Sequence, residues 1–257
     1  MVTRQEVLQG VIPRLQSHEK VLAAWLGGSD ATGRADEKSD IDLCVIAEDG
    51  SAAELRSVIE TALEAVVPIR LKYDLPAPTW HGFMQSFYQL ENAPEWLMVD
   101  WVLVERSQRN PWLEVERHGS PRILFDKIGI IKPVHANVEA LGIAAAAKVR
   151  EVAVKFPMFR HLPVKLVERG LPVDAASFYQ GLVLRPLVDL LRCLYCPERH
   201  DFGFRYLKAD LPPEIYSEVE GLSYFATPDD ILRHVQTASR LFDAALTTWN
   251  ERERRGG

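Results

Sequence analysis

The chain has 257 residues, of which 47% are hydrophobic and 26% charged, and it carries a net charge of −6. This is the composition of an ordinary globular protein, which excludes the disordered, collagen-like and disulfide-dense classes. The acidic balance lacks the basic footprint of a general nucleic-acid binder, and no apolar run reaches the ~18 residues that a membrane span needs.

The first half of the chain alternates helix and strand patterns. A capping box at Thr3 and Glu6 opens one helix, and a second capping box is predicted at Ser51 and Glu54. Apolar spacing predicts helices over residues 4–17, 52–66 and 80–91. Short or alternating apolar runs predict strands over residues 21–26, 41–46, 68–74 and 96–104. This order predicts an α/β (α+β) domain with a mixed sheet covered by helices, which we place at residues 1–132.

Beyond residue 132 the pattern changes, because strand-like runs stop and Ala-rich or Leu-rich segments of helical period take over. The predicted helices cover residues 135–155, 173–194, 212–221 and 228–250. We therefore expect an all-helical C-terminal domain over residues 133–257.

The cysteines and the N-terminus indicate the cellular compartment. Three cysteines are too few and of the wrong parity for a disulfide framework, and the N-terminus has no apolar signal-peptide core. We expect a cytoplasmic protein with free thiols and no membrane partner.

The stretch from Leu26 to Leu43 is the part of the chain with a chemical pattern. It begins with a glycine turn and Ser29, which offer close backbone approach, N–H donors and a hydroxyl to a phosphate. It ends with Asp40 and Asp42, which point to one face of a strand because strand side chains alternate. Two neighbouring carboxylates repel each other, and a divalent metal with a preference for hard oxygen ligands removes that repulsion. The pattern therefore favours metal-assisted chemistry on a nucleoside triphosphate.

This stretch resembles the signature of nucleotidyltransferase domains of the DNA polymerase β superfamily. Gly28-Ser29 matches the first element, and Asp40-Ile41-Asp42-Leu43, preceded by Ser39, matches the second. The resemblance implies that Ser29 contacts the terminal phosphates of ATP or another nucleoside triphosphate. It also implies that Asp40 and Asp42 bind Mg²⁺, with two ions expected.

The resemblance further implies a third carboxylate on a later strand, as a metal ligand or a catalytic base. Asp100 fits, because it is the lone ionisable residue inside the apolar strand 96–104. The alternative for Asp100 is a partly buried aspartate paired with an Arg or Lys. Where bacterial relatives carry an arginine after the glycine turn, this chain has Thr32, and Arg34 is the nearby residue that could supply the charge to the nucleotide.

In overall plan the chain resembles bacterial adenylyltransferases of aminoglycoside and lincosamide antibiotics, which pair a catalytic domain with a helical one. This implies transfer of a nucleoside monophosphate, AMP from ATP, to a hydroxyl of a small-molecule acceptor, an antibiotic being one candidate. The acidic balance argues against an RNA acceptor. The alternative is a non-catalytic nucleotide-binding or protein-interaction module on the same fold.

Several other segments have both a functional and an ordinary interpretation. In Arg199–Lys208 cations and rings interleave, so that Arg205 and Lys208 are candidate second-domain contacts to the nucleotide; the alternative is an anchored surface loop. The Cys193 and Cys196 pair, followed by His200, suggests zinc, but core cysteines at a helix end are favoured. The sequence is equally consistent with an acceptor pocket and with an ordinary core position for three further residues, Trp80, His81 and Tyr88.

Overall fold

The computed structural model describes residues 1–108 and 110–256. The chain forms two compact units, Met1–Ala136 and Asn137–Gly257. Their assignment as a catalytic and a helical domain divided after residue 132 stays a prediction. Within the described ranges, no helix combines the length and the apolar character needed to cross a membrane.

The first unit is a mixed sheet with helices. Its six strands lie in the order β3-β4-β5-β2-β1-β6. The strands are β1 (Val21–Leu26), β2 (Ile41–Ala47), β3 (Ile69–Asp74), β4 (Met84–Leu90), β5 (Met98–Glu105) and β6 (Arg122–Asp126). The helices are α1 (Arg4–Ser17), α2 (Gly28–Ala31), α3 (Ala52–Glu64) and α4 (Val115–His118), with a 3₁₀ turn at Pro111–Leu113. Among the strands of the described residues, β2 and β5 pair in parallel, and the other neighbouring strands are antiparallel. The mixed sheet predicted from sequence is confirmed.

In this unit, two local predictions from the sequence are wrong and one is confirmed. The helix predicted over 80–91 is wrong, because residues 84–90 form β4, which pairs with β3 and β5. Its buried residues recur at every second position, since successive strand side chains point to opposite faces of the sheet. The capping box at Thr3 is confirmed. The one at Ser51 is wrong, because the Ser51 hydroxyl donates to the carbonyl of Glu48 instead. Strand β6 has no counterpart in the sequence prediction.

Both faces of the central strands are buried. On β2, Ile41, Leu43 and Val45 pack into a core that includes residues of α1 and α3. The alternate positions Cys44 and Ile46 pack into a second cluster on the opposite face. Because both faces of β2 are covered, no exposed strand face marks the candidate site. Its carboxylates lie at the end of the second cluster.

The second unit contains helices and no strand among residues 137–256, which confirms the predicted helical half. The helices are α5 (Val138–Phe159), α6 (Leu162–Glu168), α7 (Pro172–Tyr179), α8 (Arg185–Tyr195), α9 (Leu207–Asp210), α10 (Pro213–Ser223) and α11 (Pro228–Gly256). A π-helical turn, Gln180–Leu184, joins α7 to α8, and Pro197–Arg199 forms a 3₁₀ turn. A single apolar core runs through this unit, with Phe156 and Phe242 stacked at 4.0 Å between ring centroids.

A fully buried arginine organises the loop after α8. The Arg192 guanidinium donates to the carbonyl of Gly203 at 2.5 Å and also to those of Arg199 and Arg205. It forms an ion pair of 2.9 Å with Asp210, whose other oxygen accepts from Arg199 at 2.6 Å. Buried charges of this kind are retained only where partners satisfy them, so Arg192 fixes the loop from within.

Replacing Arg192 by Leu is expected to lower the free energy of unfolding of the second unit by about 3–5 kcal/mol, because three carbonyls and a buried carboxylate lose their donor. Urea denaturation followed by circular dichroism measures the change. Arg233→Leu is the matched control, because Arg233 is 67% exposed and pairs with Asp230 at the surface. The control is expected to cost less than about 1 kcal/mol. Equal losses in the two variants would contradict the role given to Arg192.

Candidate active site

Two carboxylates lie side by side where parallel strands β2 and β5 begin. Asp42 is in direct register with Asp100, so their side chains project from the same face of the sheet. On this face Asp42 precedes Cys44 and Asp100 precedes Val102, both of which are buried. The pair therefore stands at the edge of an apolar cluster rather than in open solvent.

The loop from β1 to α2 lies against Asp42. The Gly27 N–H donates to the Asp42 carbonyl at 2.9 Å, and the Ser29 N–H donates to the Asp42 carboxylate. Gly28 adopts a φ of +49°, and a Cβ placed on it would lie 1.8 Å from Asp42 Oδ2. Only glycine fits at position 28, because both the backbone conformation and the close approach of the carboxylate exclude a side chain.

The hydroxyl of Ser29 is buried and has no hydrogen-bond partner within the described residues. An unsatisfied buried hydroxyl costs free energy, on the order of 1–3 kcal/mol, so a native protein normally supplies a partner. Ser29 also lies next to the glycine turn, where Gly28 has no side chain to block the approach of a ligand. An oxygen-rich ligand such as a phosphate would satisfy this hydroxyl.

Both carboxyls hold protons more tightly than usual. Burial, followed by repulsion from Asp40, Asp100 and Asp30, raises the pKa of Asp42 to about 7. Burial and repulsion from Asp40 raise the pKa of Asp100 to about 6, although a hydrogen bond from Gln85 opposes the shift. Within residues 1–108 and 110–256, no Arg or Lys contributes to either pKa shift, which argues against the alternative of an Asp100 ion pair among these residues. A raised pKa of this origin indicates a place for positive charge.

The donor set of this site fits a divalent cation. Asp42 and Asp100 offer hard oxygen ligands on one face, and Asp40 lies near enough to raise both of their pKa values. Within residues 1–108 and 110–256, however, no three Asp, Glu, His or Cys side chains already form a metal-binding group. The structure thus offers a carboxylate pair with a third carboxylate nearby, rather than a closed cage.

The other residues expected at the nucleotide occupy the loop between α2 and β2. Asp40 is half-buried immediately before β2. The Ser39 hydroxyl is used inside the loop, since it accepts from the Asp36 N–H at 2.8 Å and donates to the Asp36 carboxylate. Arg34 is exposed, and its N–H donates to the Ser29 carbonyl at 2.8 Å. The structure brings Ser29, Asp40, Asp42 and Asp100 together, while Ser39 stabilises the loop that leads to them.

Sequence reasoning missed Arg4, which connects the two ends of the motif. Its guanidinium forms an ion pair with the buried carboxylate of Asp30 and donates to the Asp40 carbonyl at 3.1 Å. The other Asp30 oxygen accepts from Arg122 on β6 at 3.0 Å. Arg4 therefore ties α1 to the turn that carries Ser29 and to the residue before β2. No local pattern marks it, because its partners lie far away in sequence.

Of five other candidate residues, two are exposed and three are buried. Arg205 is exposed over the Phe202 ring, at 4.8 Å from guanidinium carbon to centroid, and Lys208 is exposed on α9. Their contact with nucleotide stays a prediction. Tyr88 is a core residue whose hydroxyl donates to Glu60 at 3.3 Å. Cys193 and Cys196 are buried free thiols and belong to no metal-binding group of the described residues.

Comparison with known proteins places a family match on this segment. Residues 9–78 match the family model described as "Polymerase beta, Nucleotidyltransferase". The match includes Gly28, Ser29, Asp40 and Asp42, and it ends before Asp100. The match supports a nucleotidyltransferase domain of the polymerase β type, the family that the sequence motif resembles. No curated protein matches the chain in sequence.

Solved structures with a similar fold are distant. An aminoglycoside 6-adenyltransferase from Bacillus subtilis is similar with a TM-score of 0.40 and 11% identity, covering 97% of this chain and 91% of that one. A spectinomycin adenyltransferase from Enterococcus faecialis, solved with ATP and spectinomycin, has a TM-score of 0.36 and 9% identity, covering 96% and 100%. A nucleotidyltransferase-like protein from Exiguobacterium sibiricum has a TM-score of 0.35 and 12% identity, covering 93% and 74%. Likenesses this distant carry no argument about substrate.

Gly28→Ala is expected to cost about 3 kcal/mol of unfolding free energy, because the new methyl group strains the backbone and displaces the Asp42 carboxylate. Gly33→Ala is the matched control: Gly33 has a φ of +68°, but nothing lies within 4 Å of its added Cβ. We expect about 1 kcal/mol there, from backbone strain alone. Chemical denaturation of both variants measures the difference. Equal costs would show that Gly28 and Asp42 do not approach closely.

The pKa values of Asp42 and Asp100 predict how stability depends on pH. Since both exceed the unfolded value of about 3.9, the folded state binds more protons, and stability falls as pH rises from about 4 to about 7. In metal-free buffer, Asp42→Asn is expected to be more stable than the native chain at pH 8, on the order of 2–4 kcal/mol, and equally stable at pH 4. Thermal and urea unfolding across this range measure the effect.

Asp243→Asn is the control for this experiment, because the Asp243 side chain is 70% exposed. Its unfolding curve is expected to follow the native one at every pH. An Asp42→Asn variant that is less stable than the native chain at pH 8 would mean that a cationic partner stabilises the ionised carboxylate.

Proposed function

We propose that this nucleotidyltransferase moves a nucleoside monophosphate, AMP from ATP, onto a hydroxyl of a small-molecule acceptor with the help of Mg²⁺. The observation that carries the proposal is the pair Asp42 and Asp100, in register on parallel strands with raised pKa values. The unpartnered Ser29 hydroxyl beside Asp42 adds a group suited to a phosphate oxygen. The three cysteines are buried free thiols, which supports a cytoplasmic location.

Asp42 and Asp100, joined by Asp40, are the residues that would hold Mg²⁺, and we expect two ions as in the family that the motif resembles. When bound, the cation supplies positive charge to the reacting phosphate and neutralises the carboxylates. Ser29 and the backbone of the Gly27–Gly28 turn bind and orient the terminal phosphates. Gly28 permits that approach because it has no side chain.

The proposed transfer is a substitution at the α-phosphorus of ATP. The acceptor oxygen forms a bond to phosphorus, the bond to the oxygen that bridges to the β-phosphate breaks, and pyrophosphate leaves. The proton of the acceptor hydroxyl goes to a carboxylate, for which Asp100 is the candidate.

The acceptor is proposed as a small hydroxylated molecule rather than a nucleic acid. The net charge of −6 disfavours binding of a polyanion, although the site itself must accommodate phosphate. An antibiotic is one candidate within this class.

The test is a panel of hydroxylated small molecules incubated with the full chain, Mg²⁺ and ATP labelled at the α-phosphate. Label on an acceptor together with pyrophosphate release is the expected result. Asp42→Asn and Asp100→Asn are each expected to lower the rate at least about 100-fold, because loss of a charged ligand removes about 3 kcal/mol of transition-state stabilisation. Asp243→Asn, on an exposed surface of α11, is expected to keep the native rate.

The same experiment identifies the alternative, a non-catalytic nucleotide-binding module. ATP that binds equally well with and without Mg²⁺, with no acceptor labelled, would favour the module. Full activity of Asp42→Asn on an acceptor that the native chain modifies would contradict the metal role of Asp42.

A further inference from the structure

A hydrogen-bonded chain runs from Asp100 to a ring in the first unit. Asp100 Oδ1 accepts from the Gln85 side-chain amide at 2.7 Å, and Gln85 Oε1 lies 2.9 Å from His81 Nε2. The other ring nitrogen, Nδ1, accepts from the backbone N–H of Phe83 at 3.1 Å. Gln85 lies on β4 next to β5, and His81 lies in the segment that leads into β4.

The direction of every hydrogen bond in this chain is fixed by its two ends. A backbone N–H can only donate, so Phe83 requires His81 Nδ1 to be an unprotonated acceptor. The proton of a neutral ring must then sit on Nε2, from which it is donated to Gln85 Oε1. That leaves the Gln85 amide nitrogen facing Asp100. At the other end, an ionised Asp100 can only accept, which requires the same orientation of Gln85.

Packing holds the His81 ring in place. Its centroid lies 4.9 Å from that of Trp80, 5.4 Å from Phe83 and 5.3 Å from Trp112. The Thr79 hydroxyl donates its proton to the Phe83 carbonyl at 2.7 Å, so it does not donate to His81 Nδ1. The ring therefore has one orientation and one tautomer available to it.

We propose that His81 and Gln85 are positioning residues that orient the Asp100 carboxylate through this chain. Asp100 Oδ1 is occupied by the Gln85 amide, which leaves Oδ2 as the oxygen directed to the cation or the acceptor proton. Among the described residues Oδ2 receives no hydrogen bond. This inference rests on the proposed function for what Oδ2 does, but the orientation itself rests on the hydrogen bonds alone.

Groups that orient a ligating carboxylate typically change metal affinity 10–100-fold when they are removed. The arrangement also accounts for a glutamine, rather than a charged residue, beside Asp100. A glutamate there would add a like charge, and a lysine would neutralise Asp100 and compete with the cation. A neutral donor fixes the carboxylate while it leaves its charge available.

The first test reads the orientation by nuclear magnetic resonance on the ¹⁵N-labelled full chain without metal or nucleotide. His81 is assigned by its disappearance in His81→Phe. The expected result is the neutral Nε2–H tautomer at pH 8, together with a shift of the Gln85 side-chain amide resonances in Asp100→Leu and in His81→Phe. An Nδ1–H tautomer, or Gln85 resonances that respond to neither substitution, would overturn the proposal.

The second test is calorimetric titration with Mg²⁺ alone. His81→Phe keeps the aromatic packing and removes both ring nitrogens, and Gln85→Met removes the amide; each is expected to weaken Mg²⁺ binding about 10-fold. Trp112→Phe, which keeps an aromatic ring beside His81 and removes none of these hydrogen bonds, is expected to bind as the native chain does. His81→Gln, whose amide can replace the Nε2 donor, is expected to recover part of the affinity.

The two tests separate this inference from the proposed function. If Mg²⁺ binds neither the native chain nor any variant, the proposed function fails, and the tautomer and amide measurements still decide whether the chain orients Asp100. If Mg²⁺ binds and His81→Phe retains native affinity, or if Trp112→Phe loses as much as His81→Phe, the positioning role is wrong while the proposed function stands. Urea unfolding of each variant checks that the comparison is made between folded proteins.

Discussion

The repulsion between Asp42 and Asp100 is the constraint on which the arrangement of the first unit depends. The parallel pairing of β2 and β5 places the two carboxylates opposite each other, and the apolar cluster behind them removes water. A fold that only had to be stable would avoid this, because repulsion and desolvation both oppose ionisation. The surrounding groups instead accommodate it: Ser29 donates its N–H to Asp42, and Gln85 donates to Asp100. Each of these two donors occupies only part of its carboxylate and leaves the rest without a hydrogen bond from it.

The residues that hold the candidate site in place lie on elements to which the proposed function assigns no contact with the nucleotide. Arg4 on α1 holds Asp30 and the backbone of Asp40, so the glycine turn and the start of β2 keep a fixed separation. From the other side, β4 brings Gln85 to Asp100. Preorganisation of this kind lowers the cost of ordering the site when ligand arrives, since the groups already stand near their working positions.

The sequence identified the residues that meet at the candidate site more readily than the residues that support them. Asp40, Asp42 and Ser29 are close in sequence, so their spacing within strand–turn–strand carries the information. Asp100 could be found because it interrupts an apolar strand. Arg4 and His81 could not, because their roles depend on partners reached through sheet pairing, which no local pattern encodes. The segment 80–91 shows the same limit: its aromatic residues suggested a helix, and pairing with β3 and β5 makes residues 84–90 a strand.

The central position of β5 has a consequence for how the chain folds. β5 lies between β2 and β4, so Asp100 reaches Asp42 only after a strand made much later in the chain has been inserted into the middle of the sheet. Pairings this distant in sequence form slowly, because the intervening loop must close before any contact stabilises it. Until then β2 presents an open, apolar edge, and such edges promote aggregation. A fragment ending after β3 would retain most of the family signature and yet be left with that edge permanently uncovered.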